Sequence, residues 1–220
     1  MTQKKIIYVM DMESSLADAL VRRVIDMDQY IIFRKWDMNV DPKAEVEAYK
    51  GELGGLIISG SARNINSQKK EIPQLPIELL QMDVPVLAIC YGMQYLAHLQ
   101  GIPIIRCWDE EDPEKRTAKK AKEDKGEQGP VWFHRTAEES KLFAGLGPAF
   151  PVWMKHNWML GDVPPGWKMT GRTMKCPVAS IEIGNIYALQ FHPEPGTSLF
   201  GKIILHNFFT LICGLRTPYF

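Results

Sequence analysis

The run Val84-Pro-Val-Leu-Ala-Ile89 does most to limit what this chain can fold into. It is apolar without alternation, and a strand that shows neither face to water belongs inside a sheet covered by helices on both sides. Gly55-Leu-Ile-Ile-Ser59 has the same character, and Ile6 to Met10 and Tyr30 to Phe33 are further apolar runs. Amphipathic stretches separate them. Leu16, Ala19, Leu20 and Val24 recur at helical spacing, and helix-like segments follow over Pro42 to Lys50 and Pro73 to Gln81. A helix from Tyr91 to Gln100 has Gly101 placed as its C-terminal cap. This alternation predicts an α/β sandwich with a mostly parallel central sheet. Beyond about residue 130 strands dominate: Val131 to Phe133, Phe150 to Met154, Val178 to Ile183 and Ile186 to Phe191, before a closing helix from about Thr197 to Cys213. No internal repeat or Gly/Ser linker divides the 220 residues, so one domain, 1–220, is expected.

Charge and cysteine usage exclude several function classes. The 26 basic and 26 acidic side chains cancel, which removes the overall electrostatic footprint of a nucleic-acid binder. No apolar stretch approaches the roughly 20 residues that cross a bilayer. The N-terminus has a five-residue apolar run before Asp11 and no small-residue cleavage site, so it reads as a first strand and not as a signal peptide. Cysteines 90, 107, 176 and 213 show no CxxC spacing, which predicts reduced thiols and a cytoplasmic protein. His98 reads as a packing or capping residue, and His134 and His206 lack spaced partners, so neither a metal nor a cofactor is expected. One segment is set apart: residues 109–127 carry 8 acids and 6 bases in 19 positions, acidic first and then basic. It has no aromatic or branched aliphatic residue, and is expected as a solvated surface excursion or a partner-docking element.

Two stretches can carry chemistry. After Val84–Ile89 come Cys90-Tyr-Gly-Met-Gln94, in which a buried strand delivers a cysteine to a sharp turn and a helix starts at once. Such a turn exposes a nucleophile, and the positive end of the helix dipole favours a thiolate. The alternative is a buried cysteine acting as a small hydrophobe. The second stretch is Gln190-Phe-His192-Pro-Glu194-Pro195. Both His192 and Glu194 precede proline, which holds each in extended geometry and sets the two side chains on one face. A carboxylate beside an imidazole fixes its tautomer and frees the other nitrogen as a base; the plainer reading is an ion pair at a strand end.

Thiol, imidazole and carboxylate at strand ends are together the parts of a Cys-His-Glu triad. At these residues the chain resembles the class I, triad-type glutamine amidotransferases, and the resemblance covers most of its length. It is carried by Leu-Ile-Ile-Ser-Gly at 56–60, Ala-Ile-Cys-Tyr-Gly-Met-Gln at 88–94, Val-Trp-Met-Lys-His at 152–156, Gln-Phe-His-Pro-Glu at 190–194 and Asn-Phe-Phe-Thr-Leu-Ile-Cys-Gly at 207–214. The elbow, the Trp-Met-x-His segment and the Ile-Cys-Gly ending look most like the glutaminase portion of GMP synthetase.

The resemblance implies a flavodoxin-like three-layer fold and hydrolysis of glutamine to glutamate and ammonia through a Cys90 thioester. His192 would be the base and Glu194 its orienting group. The backbone N–H groups of Tyr91 and Ser61 would form the oxyanion hole, and Gln94, Asn157 and Trp158 would hold the amino-acid end of the substrate. It also implies a separate ATP-dependent synthetase that receives the ammonia, expected here on another polypeptide because the chain ends just after Ile-Cys-Gly. Two other readings share parts of the pattern: a stand-alone γ-glutamyl hydrolase, and a degenerate glutaminase fold that binds or regulates. The second draws on the altered Ser61 and Asn157-Trp158, two of three departures that together imply a remodelled pocket. Ser61 stands where the family has glycine, Lys155-His156-Asn157-Trp158 replaces Ser-His-Gly-Asp, and Gly126-Glu127-Gln128-Gly129 replaces Arg-Glu-Tyr-Gly.

Overall fold

The computed structural model describes residues 5–36, 44, 47–49, 51–66, 83–107 and 126–217. The chain begins β1 (Ile6–Asp11), α1 (Ala17–Asp26), β2 (Tyr30–Lys35), β3 (Leu53–Ile58), β4 (Val86–Ile89), α2 (Tyr91–His98) and β5 (Ile104–Arg106). There follow β6 (Gln128–Arg135), β7 (Ala149–Lys155), β8 (Trp158–Leu160), β9 (Lys168–Arg172), β10 (Ser180–Ile183), β11 (Ile186–Leu189) and α3 (Gly201–Asn207). One sheet runs in the order β2-β1-β3-β4-β11-β10-β9-β6-β7, and β5 and β8 form a separate antiparallel pair. From β2 to β11 every neighbouring pair is parallel. From β11 to β7 every pair is antiparallel, so the strand-rich C-terminal part extends the parallel sheet as a wing.

Side-chain alternation explains the two faces. Ile7, Val9, Ile57, Leu87 and Ile89 pack with Leu20 and Val24 of α1 and with Ile204, Leu205 and Phe208. Their neighbours Tyr8, Met10, Leu56, Ile58, Val86 and Ala88 pack instead with Tyr95, Leu96 and Ala97 of α2. Successive strand residues thus serve opposite layers, which is why these runs are continuously apolar. Among the described residues β2 pairs only with β1, and it has no fully buried residue, as an edge strand should. In the wing the core is aromatic. Phe133 has ring centroids 5.1 Å from Phe143 and 5.2 Å from both Phe150 and Phe191, and all four rings are buried.

The expected strands and the helix from Tyr91 are present, and Gly101 ends that helix at φ +78°. Other expectations shift. The closing helix starts at Gly201, not near Thr197, and passes into a π-helical turn over Phe208–Ile212. The last strand stops at Leu189, and β5, β8 and β9 add to the strands expected from the sequence. Three-residue strands such as Ile104-Ile-Arg106 are too short to show a period. The segment over Pro73–Gln81 lies outside the described residues, as do most of Pro42–Lys50 and all of 109–127 except Gly126 and Glu127; Ala44, Glu47 and Ala48 are helical. No helix among the described residues is long and apolar enough to cross a membrane.

The aromatic cluster supports Phe191, the residue before His192. Phe133→Ala should cost about 3–5 kcal/mol in denaturant unfolding. Trp132→Ala on the same strand, where the ring is 61% exposed, should cost less than about 1 kcal/mol.

Candidate active site

β4 and β11 are parallel neighbours, with Ile89 opposite Leu189. Cys90 follows β4 and caps α2 with φ +50° and ψ −102°, a conformation that costs a non-glycine residue on the order of 1–3 kcal/mol. Two backbone bonds hold it. Its N–H donates to the Leu189 carbonyl at 2.6 Å, and its carbonyl accepts the Gln94 N–H at 3.0 Å. Gly92 lets α2 approach β3, since a Cβ there would lie 2.8 Å from the Ile58 carbonyl oxygen. The turn therefore aims the thiol out of the sheet edge while leaving it 6% exposed.

His192 lies just past β11. Its N–H donates to the Trp153 carbonyl at 2.8 Å, and its Nδ1 lies 3.2 Å from Glu194 Oε1. That leaves Nε2 for the sulfur, and Cys90 is near enough to favour the charged imidazole. Burial opposes a charged ring, but the Glu194 carboxylate and Cys90 outweigh it and raise His192 from 6.5 to about 10. Glu194 is 1% exposed, and Arg23 donates to the carbonyls of Glu194 at 3.1 Å and Pro195 at 3.2 Å, fixing the Pro-Glu-Pro turn. The structure thus brings Cys90, His192 and Glu194 together in line.

A cavity of about 390 Å³ opens over them. Cys90, His192, Tyr91, Ser61, Gln94, Asn157 and Trp158 all line it, and Glu194 stands behind His192. The Ser61 hydroxyl accepts the Arg63 N–H at 3.0 Å, which braces the loop after β3. Gln94 spends both amide hydrogens inside the protein, on the Trp158 carbonyl at 2.7 Å and Gln190 Oε1 at 3.0 Å. Asn157 Oδ1 accepts the Gly126 N–H at 3.2 Å, and the Arg106 guanidinium lies 5.1 Å over the Trp158 ring. The charged side chains among the described lining residues, the imidazoles of His156 and His192 aside, are Arg63, which pairs with Glu13, and Lys155, which donates to the Ser15 hydroxyl at 2.8 Å.

Sequence reasoning missed several members. Ser14 and Ser15, which read only as the start of α1, line the cavity with Gln128. His156 is buried, with Nε2 3.4 Å from Glu127 Oε2 and Nδ1 3.1 Å from the Trp158 carbonyl. Burial opposes the Glu127 carboxylate, but hydrogen bonds from His156 and from the Thr173 hydroxyl, 2.7 Å from each oxygen, hold it below its ordinary value. Cys176 is beside this pair, and Glu127, His156 and Cys176 each offer a metal-ligand atom within 4.8 Å of the others. All four cysteines are free thiols. Burial pushes Cys107 up to about 12 and Cys176 well above its ordinary range, so both are protonated packing groups.

A cysteine in a left-handed turn at one strand end and a His–Glu pair at the next, on a parallel sheet with an antiparallel wing, define an α/β protein with a thiol, an imidazole and a carboxylate at one sheet edge. The model of the family "Glutamine amidotransferase class-I" matches residues 8–212, and the chain belongs to that family. A GMP synthase [glutamine-hydrolyzing] of Thermomicrobium roseum is 31% identical over 208 residues, 94% of this chain and 35% of that protein. One from Thermosipho melanesiensis is 32% identical over 214 residues, 96% of this chain and 37% of that protein. The chain thus spans about a third of the length of these relatives. A solved structure from Thermoplasma acidophilum, assigned to a GMP synthase subunit, has the same fold, with TM-score 0.74 at 22% identity over 97% of this chain and 96% of that one.

The raised His192 links stability to pH. Below about pH 6.5 the imidazole is protonated folded and unfolded, and the Glu194 pairing contributes in full. Between 6.5 and about 10 only the folded state holds the proton, so the contribution is lost as pH rises. The gap in unfolding free energy between wild type and Glu194→Gln should narrow across this window. A gap independent of pH would contradict the pairing.

Proposed function

We propose that the chain is a glutaminase whose nucleophile is Cys90, and that the ammonia goes to a separate synthetase partner. Cys90 Sγ attacks the carboxamide carbon of glutamine with the proton of the Cys–His pair already held on His192. The oxyanion accepts hydrogen bonds from the backbone N–H groups of Tyr91 and Ser61. Tyr91 is the first residue of α2, at the end of a helix where backbone N–H groups point outward toward acceptors. When the tetrahedral intermediate collapses, His192 passes the proton to the leaving nitrogen and ammonia departs. Water then attacks the γ-glutamyl thioester as His192 accepts its proton. The second collapse releases glutamate and frees the Cys90 sulfur, with the proton left on His192 as at the start. Glu194 keeps the imidazole in register throughout.

Binding of the amino-acid end falls to Gln94, Asn157 and Trp158. With both amide hydrogens committed, Gln94 presents its carbonyl oxygen to the cavity, an acceptor suited to an α-ammonium. The α-carboxylate suits Lys155. Transfer to an ATP-dependent synthetase is supported by the relatives, GMP synthases of which the match spans only 35% and 37%.

The observation that carries this reading is the line of contacts from Glu194 through His192 to a strained, cavity-facing Cys90. The test is glutamate release from glutamine, with and without an added synthetase. Cys90→Ala should abolish release, and Glu194→Gln should lower kcat by about 10²–10⁴-fold. Cys90→Ala turning over at the wild-type rate would refute the assignment.

A further inference from the structure

The site contains a second His–Glu pair that the chemistry above does not use, and a directed set of hydrogen bonds connects it to the nucleophile. Glu127 lies at the start of β6 and His156 just after β7, 29 residues apart. Accepting that Cys90 is the nucleophile, we infer that Glu127 and His156 are positioning residues that set the hydrogen bond received by its sulfur. The links run through the Trp158 carbonyl, Gln94 and Gln190.

Each link fixes the next. Thr173 donates to both Glu127 oxygens, and the carboxylate faces His156 Nε2 at 3.4 Å. With both ring nitrogens protonated, Nε2 donates to the carboxylate and Nδ1 to the Trp158 carbonyl at 3.1 Å, with the Cys107 sulfur 3.3 Å from the same nitrogen, and the carbonyl is held where Gln94 Nε2 reaches it at 2.7 Å. Gln94 must therefore present N–H, and its second hydrogen goes to Gln190 Oε1 at 3.0 Å. With its oxygen so taken, Gln190 can only turn its amide nitrogen to Cys90 Sγ, at 3.5 Å. A side-chain amide has two orientations that fill the same space; one offers the sulfur a donor, the other an oxygen that repels a thiolate. Nothing about packing alone selects between them. The selection comes from the Trp158 carbonyl, and behind it from Glu127 and His156.

Burial makes the selection firm. Gln190 is fully buried, and Gln94, His156 and Glu127 are each 5% exposed, so water has little access to replace a broken link. The outer end is anchored away from the substrate cavity. Glu127 and Thr173 line a separate cavity of about 780 Å³ with Trp132 and Met174. His156, the inner member of the pair, lines the substrate cavity itself.

The test is the second-order rate of Cys90 alkylation by iodoacetamide at neutral pH, read on the Cys90 peptide by mass spectrometry. It is paired with the thiolate absorbance of each variant measured against its own Cys90→Ala form. Gln190→Met should slow alkylation by about three- to tenfold. Glu127→Gln, isosteric and able to keep the Thr173 contact, should slow it in the same sense and lower the thiolate absorbance. The Glu127→Gln/Gln190→Met double variant should be no slower than Gln190→Met alone. Wild-type alkylation in Glu127→Gln, or effects that multiply in the double variant, would overturn the inference. If Glu127→Gln does not fold, Gln94→Met enters the same cycle with the same expected and contrary results. Iodoacetamide needs no glutamine recognition. Failure of the glutaminase reading therefore shows as absent glutamate release with the coupling intact, and failure of this inference as lost coupling with release intact.

Discussion

The parallel pairing of β4 with β11 is the constraint on which the site depends. Their register sets Ile89 opposite Leu189, so the residues that leave the sheet edge next are Cys90 on one strand and Gln190 to His192 on the other. A hundred residues separate Cys90 from Gln190 in sequence, yet Cys90 donates its backbone N–H to Leu189. The left-handed turn at Cys90 is unfavourable taken alone, and this bond together with the first turn of α2 over-determines it. The elbow, the base and the amide that reaches the sulfur all follow from one strand pairing.

Electrostatics then divides the labour between two buried His–Glu pairs. His192 and Glu194 are two residues apart and are placed by prolines, so their geometry is local and stiff. Their work is at the reacting atoms. Glu127 and His156 join the starts and ends of different strands, and their work is to fix a loop that carries Asn157 and Trp158. In each pair the carboxylate accepts from an imidazole in a site closed to water, where an unpaired charge would be costly. Tyr91, Ser61, Gln94, Asn157 and Trp158 line one cavity together with His192 and His156.

Cys90, His192 and Glu194 were legible as a candidate site because each carries its own local signal. A cysteine after an unbroken apolar run has to leave the sheet, and His-Pro-Glu-Pro has to stay extended. The two layers were legible for the same reason, since Val86 to Ile89 shows no polar face. Glu127 and His156 were not legible as a pair, because their contact depends on the β6–β7 register, Gln128 opposite Lys155, and no residue pattern announces a register between distant strands. In the sequence they stand out only as departures from a familiar motif. Gln190 likewise reads as part of a run; its role depends on the side-chain orientation of Gln94, which only packing reveals. The loss of an acid at 158 points to an altered pocket, and a stacked Trp158 and a cation-lined cavity stand there.

The central claim is that the strand register makes Cys90 a covalent catalyst. Intact-mass measurement of the protein, acid-quenched while it turns over glutamine, tests this most directly. A γ-glutamyl adduct mapped to Cys90, absent from Cys90→Ala, is the predicted result. Glutamate released with no adduct on Cys90 at any quench time, even when His192→Asn is used to slow deacylation, would contradict it.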